Sequence, residues 1–125
     1  MKKPSFATMI IFVAVATVVV LIASAVWRNN APSDYDEVAQ CITDNGGKVK
    51  VAYWCSACAA QEEMFGSAWR LIDKTECSSP GSHDFDLCPE ISGTPTWEMA
   101  DGTTFSGAFP VADLAETFGC TEFLP

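Results

Sequence analysis

The chain has 125 residues, six cysteines and a formal net charge of −9, which bounds it to one small domain. From Arg28 onward, five cations stand against sixteen acids, which gives −11 over 98 residues. A nucleic-acid-binding role is excluded, because the phosphate backbone requires a basic protein surface. Six cysteines are too many for an ordinary cytosolic protein of this size, so we expect a compartment in which disulfides persist.

The amino-terminal segment is predicted to be a membrane anchor. Residues 6–27 carry no charge, and 19 of these 22 residues are apolar. As a helix this segment would be roughly 33 Å long, which matches a hydrocarbon core of about 30 Å. Lys2 and Lys3 precede it, so the positive-inside rule keeps the amino terminus cytoplasmic and exports the remainder. The predicted organisation is a cytoplasmic tail (1–5), a transmembrane anchor (6–27), a linker (28–33) and an extracytoplasmic domain (34–125).

A cleaved signal peptide is the alternative for the same segment. Ala23-Ser24-Ala25 resembles a cleavage site behind a short basic region. An anchor is favoured because the apolar run exceeds the usual hydrophobic region of about 7–15 residues. Trp27 also stands where an interfacial aromatic would lie. Both interpretations place the domain outside the cytoplasm, and cleavage after Ala25 stays open.

The exported part alternates helical and strand patterns. Ser33 or Asp34 can cap a helix to about Asp44, and residues 48–54 form a strand that enters a core. Residues 76–89 are irregular, and a hairpin at 96–99 and 103–105 turns at Asp101-Gly102. Residues 111–118 form a closing helix. This order predicts a mixed sheet with helices packed against it.

A further helix is predicted after residue 58, with an apolar stripe. Its buried face is predicted to carry Ala60, Met64, Ala68 and Ile72, with Phe65 and Trp69 beside them. Its opposite face is predicted to carry Gln61, Glu62 and Arg70.

The segment Cys55-Ser56-Ala57-Cys58 lies at a predicted strand-to-helix junction and is the candidate catalytic site. Free N–H groups and the dipole at a helix amino terminus favour an anion, so Cys55 is expected to form a thiolate readily. Cys58 lies one turn further and could attack a mixed disulfide formed at Cys55. Such a pair exchanges disulfides without a cofactor, and none is expected.

Two thiols at this spacing have three other uses: a zinc site, an inert disulfide and Cu(I) binding. A zinc site needs two more ligands, and Cys77, Cys88 and His83 form no second close pair, so no metal ligands are assigned. An inert disulfide would close too short a loop to stabilise much. Two thiolates can bind Cu(I), so a copper metallochaperone is the alternative function. Against it, no histidine adjoins the motif and Met64 is predicted to face the core.

The residues around this motif resemble the thioredoxin fold. Ala52 to Cys58 precede a helix, and Gly93-Thr94-Pro95-Thr96-Trp97 follows later. The similarity is closer to thioredoxin-like domains that accompany vitamin K epoxide reductase homologues in bacteria. The further motifs that carry it are Cys41, Met64 to Ala68, Glu76-Cys77, Cys88 and Gly119-Cys120. The resemblance implies an α/β thioredoxin-like fold, a mixed central sheet flanked by helices, behind the transmembrane helix.

The same resemblance implies a function and the residues that serve it. The chain would be a thiol–disulfide oxidoreductase whose partners are protein thiols and disulfides. A vitamin K epoxide reductase-type membrane protein would accept electrons if the role is oxidative. Pro95 would be cis and face the two thiols, and Thr94 and Pro95 would shape the groove for the substrate chain. Apart from the resemblance, Tyr53, Trp54 and Trp97 flank the motif and the proline, which predicts an apolar docking rim, with core packing as the alternative for Trp97.

The other four cysteines are assigned by spacing and by the resemblance together. Cys77 would pair with Cys88 and Cys41 with Cys120, as structural disulfides, although six cysteines allow 15 connectivities. A pair that relays electrons to Cys55 remains the alternative. His83 is expected to be a solvated loop residue.

Two departures from the family bear on mechanism. Val49 stands where thioredoxins carry a buried Asp that assists the second thiol, so water or Glu62 would have to accept the proton of Cys58. The pair Ser56-Ala57 lacks both the Gly-Pro of reducing thioredoxins and a strengthening histidine, so it does not fix the direction of electron flow.

Overall fold

The computed structural model describes residues 1–125 and divides into two compact units, residues 1–31 and 32–125. The first unit consists almost entirely of helix α1 (Phe6–Asn30), in which no residue is buried. This helix is long and apolar enough to cross a membrane. It extends three residues past the predicted end at Trp27, and the Asn30 side chain donates to the Val26 carbonyl at 2.8 Å.

The second unit is a mixed α/β domain. Its helices are α2 (Asp36–Asp44), α3 (Ser56–Phe65) and α4 (Val111–Thr117), and its strands are β1 (Lys48–Val51), β2 (Asp73–Glu76), β3 (Thr96–Glu98) and β4 (Thr104–Ser106). The sheet order is β2-β1-β3-β4, with β1 parallel to β2 and the other neighbours antiparallel. The predicted fold class is confirmed: a thioredoxin-like mixed sheet with helices follows one apolar helix in the sequence.

The core lies on one face of this sheet. Val49 of β1 and Trp97 of β3 are cross-strand partners, and both are fully buried. Aromatic rings surround Trp97, with the centroids of Phe65 and Phe118 at 6.3 and 5.9 Å from it. Side chains of a strand alternate between faces, so Lys50 points away from this core. Its ammonium pairs there with Glu90 at 2.8 Å and Glu98 at 3.2 Å.

The predicted strand 48–54 ends early. Regular pairing stops at Val51, because the Cys55 N–H donates to the Ala52 carbonyl at 2.9 Å and turns the chain toward α3. The hairpin turn at Asp101-Gly102 is confirmed: Gly102 has a φ of +87°, and its N–H donates to Met99 O at 2.9 Å.

The predicted helical stripe after Cys58 is partly wrong. α3 ends at Phe65, because Gly66 has a φ of +59° that breaks the helix, and the chain continues as a 3-10 helix over Gly66–Leu71. Within α3 itself Met64 is exposed, whereas Gln61, predicted on the polar face, is completely buried because its side chain pairs with the backbone of Phe109.

Strand β2 was not predicted at all. Its four residues, Asp73–Glu76, are all exposed, so they lack the alternation of polar and apolar residues that marks a half-buried strand. The strand forms at the sheet edge through backbone pairing with β1, in the register Val51 opposite Glu76. Only its last residue, Glu76, falls in the segment 76–89 that was predicted to be irregular.

Candidate functional site

The Cys55 sulfur caps helix α3. Cys55 occupies the N-cap position, and its Sγ accepts a hydrogen bond from the Cys58 N–H at 3.1 Å. Ser, Thr, Asp or Asn usually supply the oxygen that does this at a helix start. Here the sulfur takes that place, so it lies at the positive end of the helix, where a thiolate is stabilised.

The two thiols of the motif are both free and differ in character. Cys55 is partly exposed and Cys58 is buried. Burial acts to raise the pKa of Cys55, but hydrogen bonds from the side chains of Cys58 and Thr94 and from backbone N–H groups bring this pKa below its usual value. Burial, and then the hydrogen bond to Cys55, raise the pKa of Cys58 to about 11. One sulfur is thus accessible and easily ionised, and the other is sheltered and protonated at neutral pH.

Thr94 lies against this pair. The Cys55 thiol lies 3.3 Å from the Thr94 carbonyl oxygen and donates to it. The Thr94–Pro95 peptide bond is cis, and the Pro95 side chain is fully buried. The Pro95 carbonyl accepts from Gly107 N–H at 2.9 Å, which ties this corner to the end of β4. The structure thus brings Cys55, Cys58 and Thr94 together at one end of the sheet.

Tyr53 and Trp54 are held by the loop after β2. The Tyr53 hydroxyl donates to the Ser82 carbonyl at 2.7 Å, although the side chain is 55% exposed. The Trp54 indole N–H donates to Ser78 Oγ at 2.8 Å, and its ring stacks on Phe85 with centroids 5.4 Å apart. These contacts fix the two aromatic residues immediately before Cys55.

The loop after β2 also lines a groove near the motif and carries His83. The groove has a volume of about 500 Å³ and is lined by Tyr53, Glu76, Ser78, Pro80, Gly81 and Leu87. His83 is exposed, with its ring 5.8 Å from Trp54 and 6.3 Å from Tyr53 between centroids. Trp97 is in the core, so it is not part of an exposed rim.

The other four cysteines form two disulfides. Cys77 and Cys88 are joined with Cα atoms 5.0 Å apart, and this bond closes the loop that holds Tyr53 and Trp54. Cys41 and Cys120 are joined with Cα atoms 5.9 Å apart and link α2 to the end of the chain. Asn45 covers the second bond, since its Nδ2 donates to the Phe118 carbonyl at 2.8 Å and lies 3.6 Å from both sulfurs.

A pocket of about 170 Å³ lies next to both free thiols. Cys55, Cys58, Glu62, Trp69 and Glu76 line it together with Val51, Ala52, Tyr53 and Ala59. Glu76 is fixed here, because its Oε1 accepts from the Tyr53 N–H at 3.2 Å and from the Ser78 N–H at 3.1 Å. Sequence reasoning gave Glu76 no role of its own, and the Glu-Cys pair it forms with Cys77 was the available signal.

No group of three or more His, Cys, Asp or Glu side chains is arranged to hold a metal ion. Met64, whose predicted burial counted against copper, is 41% exposed. Its sulfur lies 3.9 Å from the Gln61 amide nitrogen.

Comparison with known proteins places this chain beside a plant oxidoreductase. No family model matches the chain. It is 35% identical over 89 residues to a protein named thiol-disulfide oxidoreductase LTO1 from Arabidopsis thaliana. The match covers 66% of this chain and 23% of the relative, so the chain spans about a quarter of that protein's length. The match supports a thioredoxin-like family, in agreement with the fold.

Proposed function

We propose that this chain is a thiol–disulfide oxidoreductase in which Cys55 exchanges with protein substrates and Cys58 resolves the mixed disulfide. The observation that carries the proposal is the asymmetry of the two thiols. Cys55 is partly exposed with a lowered pKa at a helix start, and Cys58 is buried with a pKa of about 11. An exposed thiolate is the attacking group in disulfide exchange, and the sheltered thiol acts only once a mixed disulfide has formed.

Bonds and electrons balance in this exchange with only the two thiols and the substrate disulfide as reactants. The Cys55 thiolate attacks a substrate disulfide, a Cys55–substrate bond forms, and one substrate sulfur leaves as a thiolate. Cys58 then loses its proton and attacks Cys55 Sγ, which releases the second substrate sulfur and leaves Cys55 and Cys58 oxidised. The reverse sequence oxidises a substrate dithiol. Thr94, Tyr53 and Trp54 would contact the substrate chain beside the sulfur. Pro95, whose side chain is buried, would shape the groove through its cis peptide bond.

The proposal includes location and an electron acceptor. Helix α1 would span the membrane with its amino terminus in the cytoplasm, because Lys2 and Lys3 precede it. The domain from residue 34 onward would then work outside the cytoplasm, where the Cys41–Cys120 and Cys77–Cys88 bonds persist as structural disulfides. A membrane protein of the vitamin K epoxide reductase type would reoxidise the pair in an oxidative role.

Trapping in cells that express the full chain tests the proposal. Cys58→Ser should accumulate mixed disulfides on Cys55, seen as reductant-sensitive bands of higher mass. Cys55→Ser should form few, and the double variant none. Loss of Cu(I) binding in both single variants, with no effect of either on crosslinking, would instead establish the metallochaperone.

A further inference from the structure

Cys58 must lose its proton before it can attack Cys55. The strand position at which thioredoxins carry a buried Asp for this purpose does not supply an acceptor here. Val49 occupies that register and is apolar and completely buried. The pocket of about 170 Å³ beside Cys58 is large enough for water, and two of its lining residues are carboxylates, Glu62 and Glu76. A group that accepts the Cys58 proton would therefore lie on the wall of this pocket.

The two carboxylates differ in how they are held. Glu62 lies one helical turn beyond Cys58 on α3, and no hydrogen bond fixes its side chain. Glu76 lies at the carboxyl end of β2, opposite Val51 in the parallel pair. Its Oε1 receives the backbone N–H groups of Tyr53 and Ser78, which directs the carboxylate toward the segment that leads into Cys55. A fixed carboxylate is the better proton acceptor, because catalysis requires a group already in position.

The remaining charged groups around Cys58 are few. From the other elements packed there, the titratable side chains are those of Cys55 and Tyr53, which line the same pocket. Lys74 of β2 donates to the carbonyls of Trp69 and Ile72, and burial lowers its pKa, which the negative charges of Glu62 and Asp73 partly oppose. Its proton is thus committed to backbone oxygens.

We propose that Glu76 accepts the proton of Cys58, through water in the shared pocket, and at the same time positions the Tyr53–Cys55 segment. This rests on the proposed oxidoreductase function and names the residue that serves its second step. The Cys58 S–H proton passes to the Glu76 carboxylate as Cys58 Sγ bonds to Cys55 Sγ. The Cys55–substrate bond breaks and its electron pair leaves with the substrate sulfur, which is then protonated by Glu76 or by solvent.

The test separates the two steps on the full chain in detergent. Reduced protein is mixed with dithiobis(nitrobenzoate), which releases one thionitrobenzoate when Cys55 attacks and a second when Cys58 resolves. Glu76→Gln keeps an oxygen for the Tyr53 and Ser78 N–H groups but removes the charge. It should slow the second release at least about 10-fold near neutral pH and change the first by less than about 2-fold. The deficit should shrink as the pH rises toward the Cys58 pKa, about 11, because the thiol then ionises unaided.

Three further variants make the result decisive. Glu63→Gln, an exposed α3 residue outside the pocket, should match the wild type in both phases. Glu62→Gln should lose less than Glu76→Gln; an equal or larger loss overturns the proposal, as does an unchanged second phase in Glu76→Gln. Glu76→Ala should also loosen the Tyr53 backbone, measured as faster amide exchange there, while Glu76→Gln should not. If the wild type releases no second thionitrobenzoate, the proposed function itself fails.

Discussion

Gln61 and Phe109 lie 48 positions apart and exchange two hydrogen bonds, with the Gln61 amide donating to the Phe109 carbonyl and its oxygen accepting the Phe109 N–H, each at 2.9 Å. Gln61 is completely buried, so these two hydrogen bonds link α3 to the segment before α4 at a site that solvent does not reach. We expect Gln61→Leu to lower the free energy of unfolding by roughly 2–4 kcal/mol, because it leaves two backbone groups unpaired. Chemical unfolding followed by tryptophan fluorescence measures this loss.

The matched control for Gln61 is Gln40 of α2, an exposed glutamine whose amide bonds only to Asp44 one turn away. Gln40→Leu should change the stability by less than about 0.5 kcal/mol. Similar losses of stability in both variants would mean that the Gln61–Phe109 hydrogen bonds contribute no more than the exposed bond of Gln40.

The reactivities of Cys55 and Cys58 should separate with pH. The pKa of Cys55 lies below its usual value and that of Cys58 is about 11, so alkylation of the reduced chain near neutral pH should fall almost entirely on Cys55. Mass spectrometry after timed iodoacetamide treatment reads both sites. Equal alkylation of the two sites would contradict the assigned roles.

The two disulfides should differ in their effect on stability. The Cys41–Cys120 bond closes a segment of 79 residues and the Cys77–Cys88 bond one of 11. Chain-entropy scaling gives about 4.5 kcal/mol for the first and about 2.8 kcal/mol for the second. Paired serine replacements compared by urea unfolding test this order. Cys55→Ser is the control, since Cys55 forms no disulfide here.

The Asp36–Arg70 pair predicts how stability responds to acid. Arg70 donates to both Asp36 carboxylate oxygens, at 2.8 and 2.7 Å, and joins α2 to the 3-10 helix. Hydrogen bonding and charge attraction from Arg70 lower the pKa of Asp36, although partial burial opposes this. The stabilisation is therefore complete above the unfolded-state pKa of Asp and is lost as the pH falls through the lower folded value.

Asp36→Asn should consequently be less stable than the wild type at neutral pH, and the difference should vanish in strong acid. Urea unfolding across a pH series provides the measurement. Asp34→Asn, at an exposed position two residues earlier, should behave as the wild type throughout. A gap that persists in strong acid would indicate that packing, and not charge, is responsible.

The fold class and the candidate thiols could be predicted because their signals are local. The apolar run of α1 and the alternation of polar and apolar residues that opens β1 can be recognised from neighbouring residues alone. The Asp101-Gly102 turn has equally short-range chemistry. The helix start after a strand gave Cys55 its expected environment without knowledge of tertiary contacts.

Other features depend on partners distant in sequence. β2 has four exposed residues and exists because β1 offers it a backbone edge. Gln61 is a polar residue at a buried position, and only Phe109 explains why it is tolerated there. Glu76 accepts from the nearby Ser78 N–H and also from the Tyr53 N–H, 23 residues away, and this second contact could not be predicted from the residues around 76.

The two disulfides are nested, since the segment from Cys77 to Cys88 lies inside the one from Cys41 to Cys120. A protease that cuts the exposed turn at Pro80-Gly81 would therefore open the inner ring without releasing any fragment. The nicked domain would run as one species until a reductant is added. Such a nick would free the ends that hold Tyr53 and Trp54 while leaving Cys55, Cys58 and the core covalently joined, so it would separate the contribution of the loop from that of the thiols.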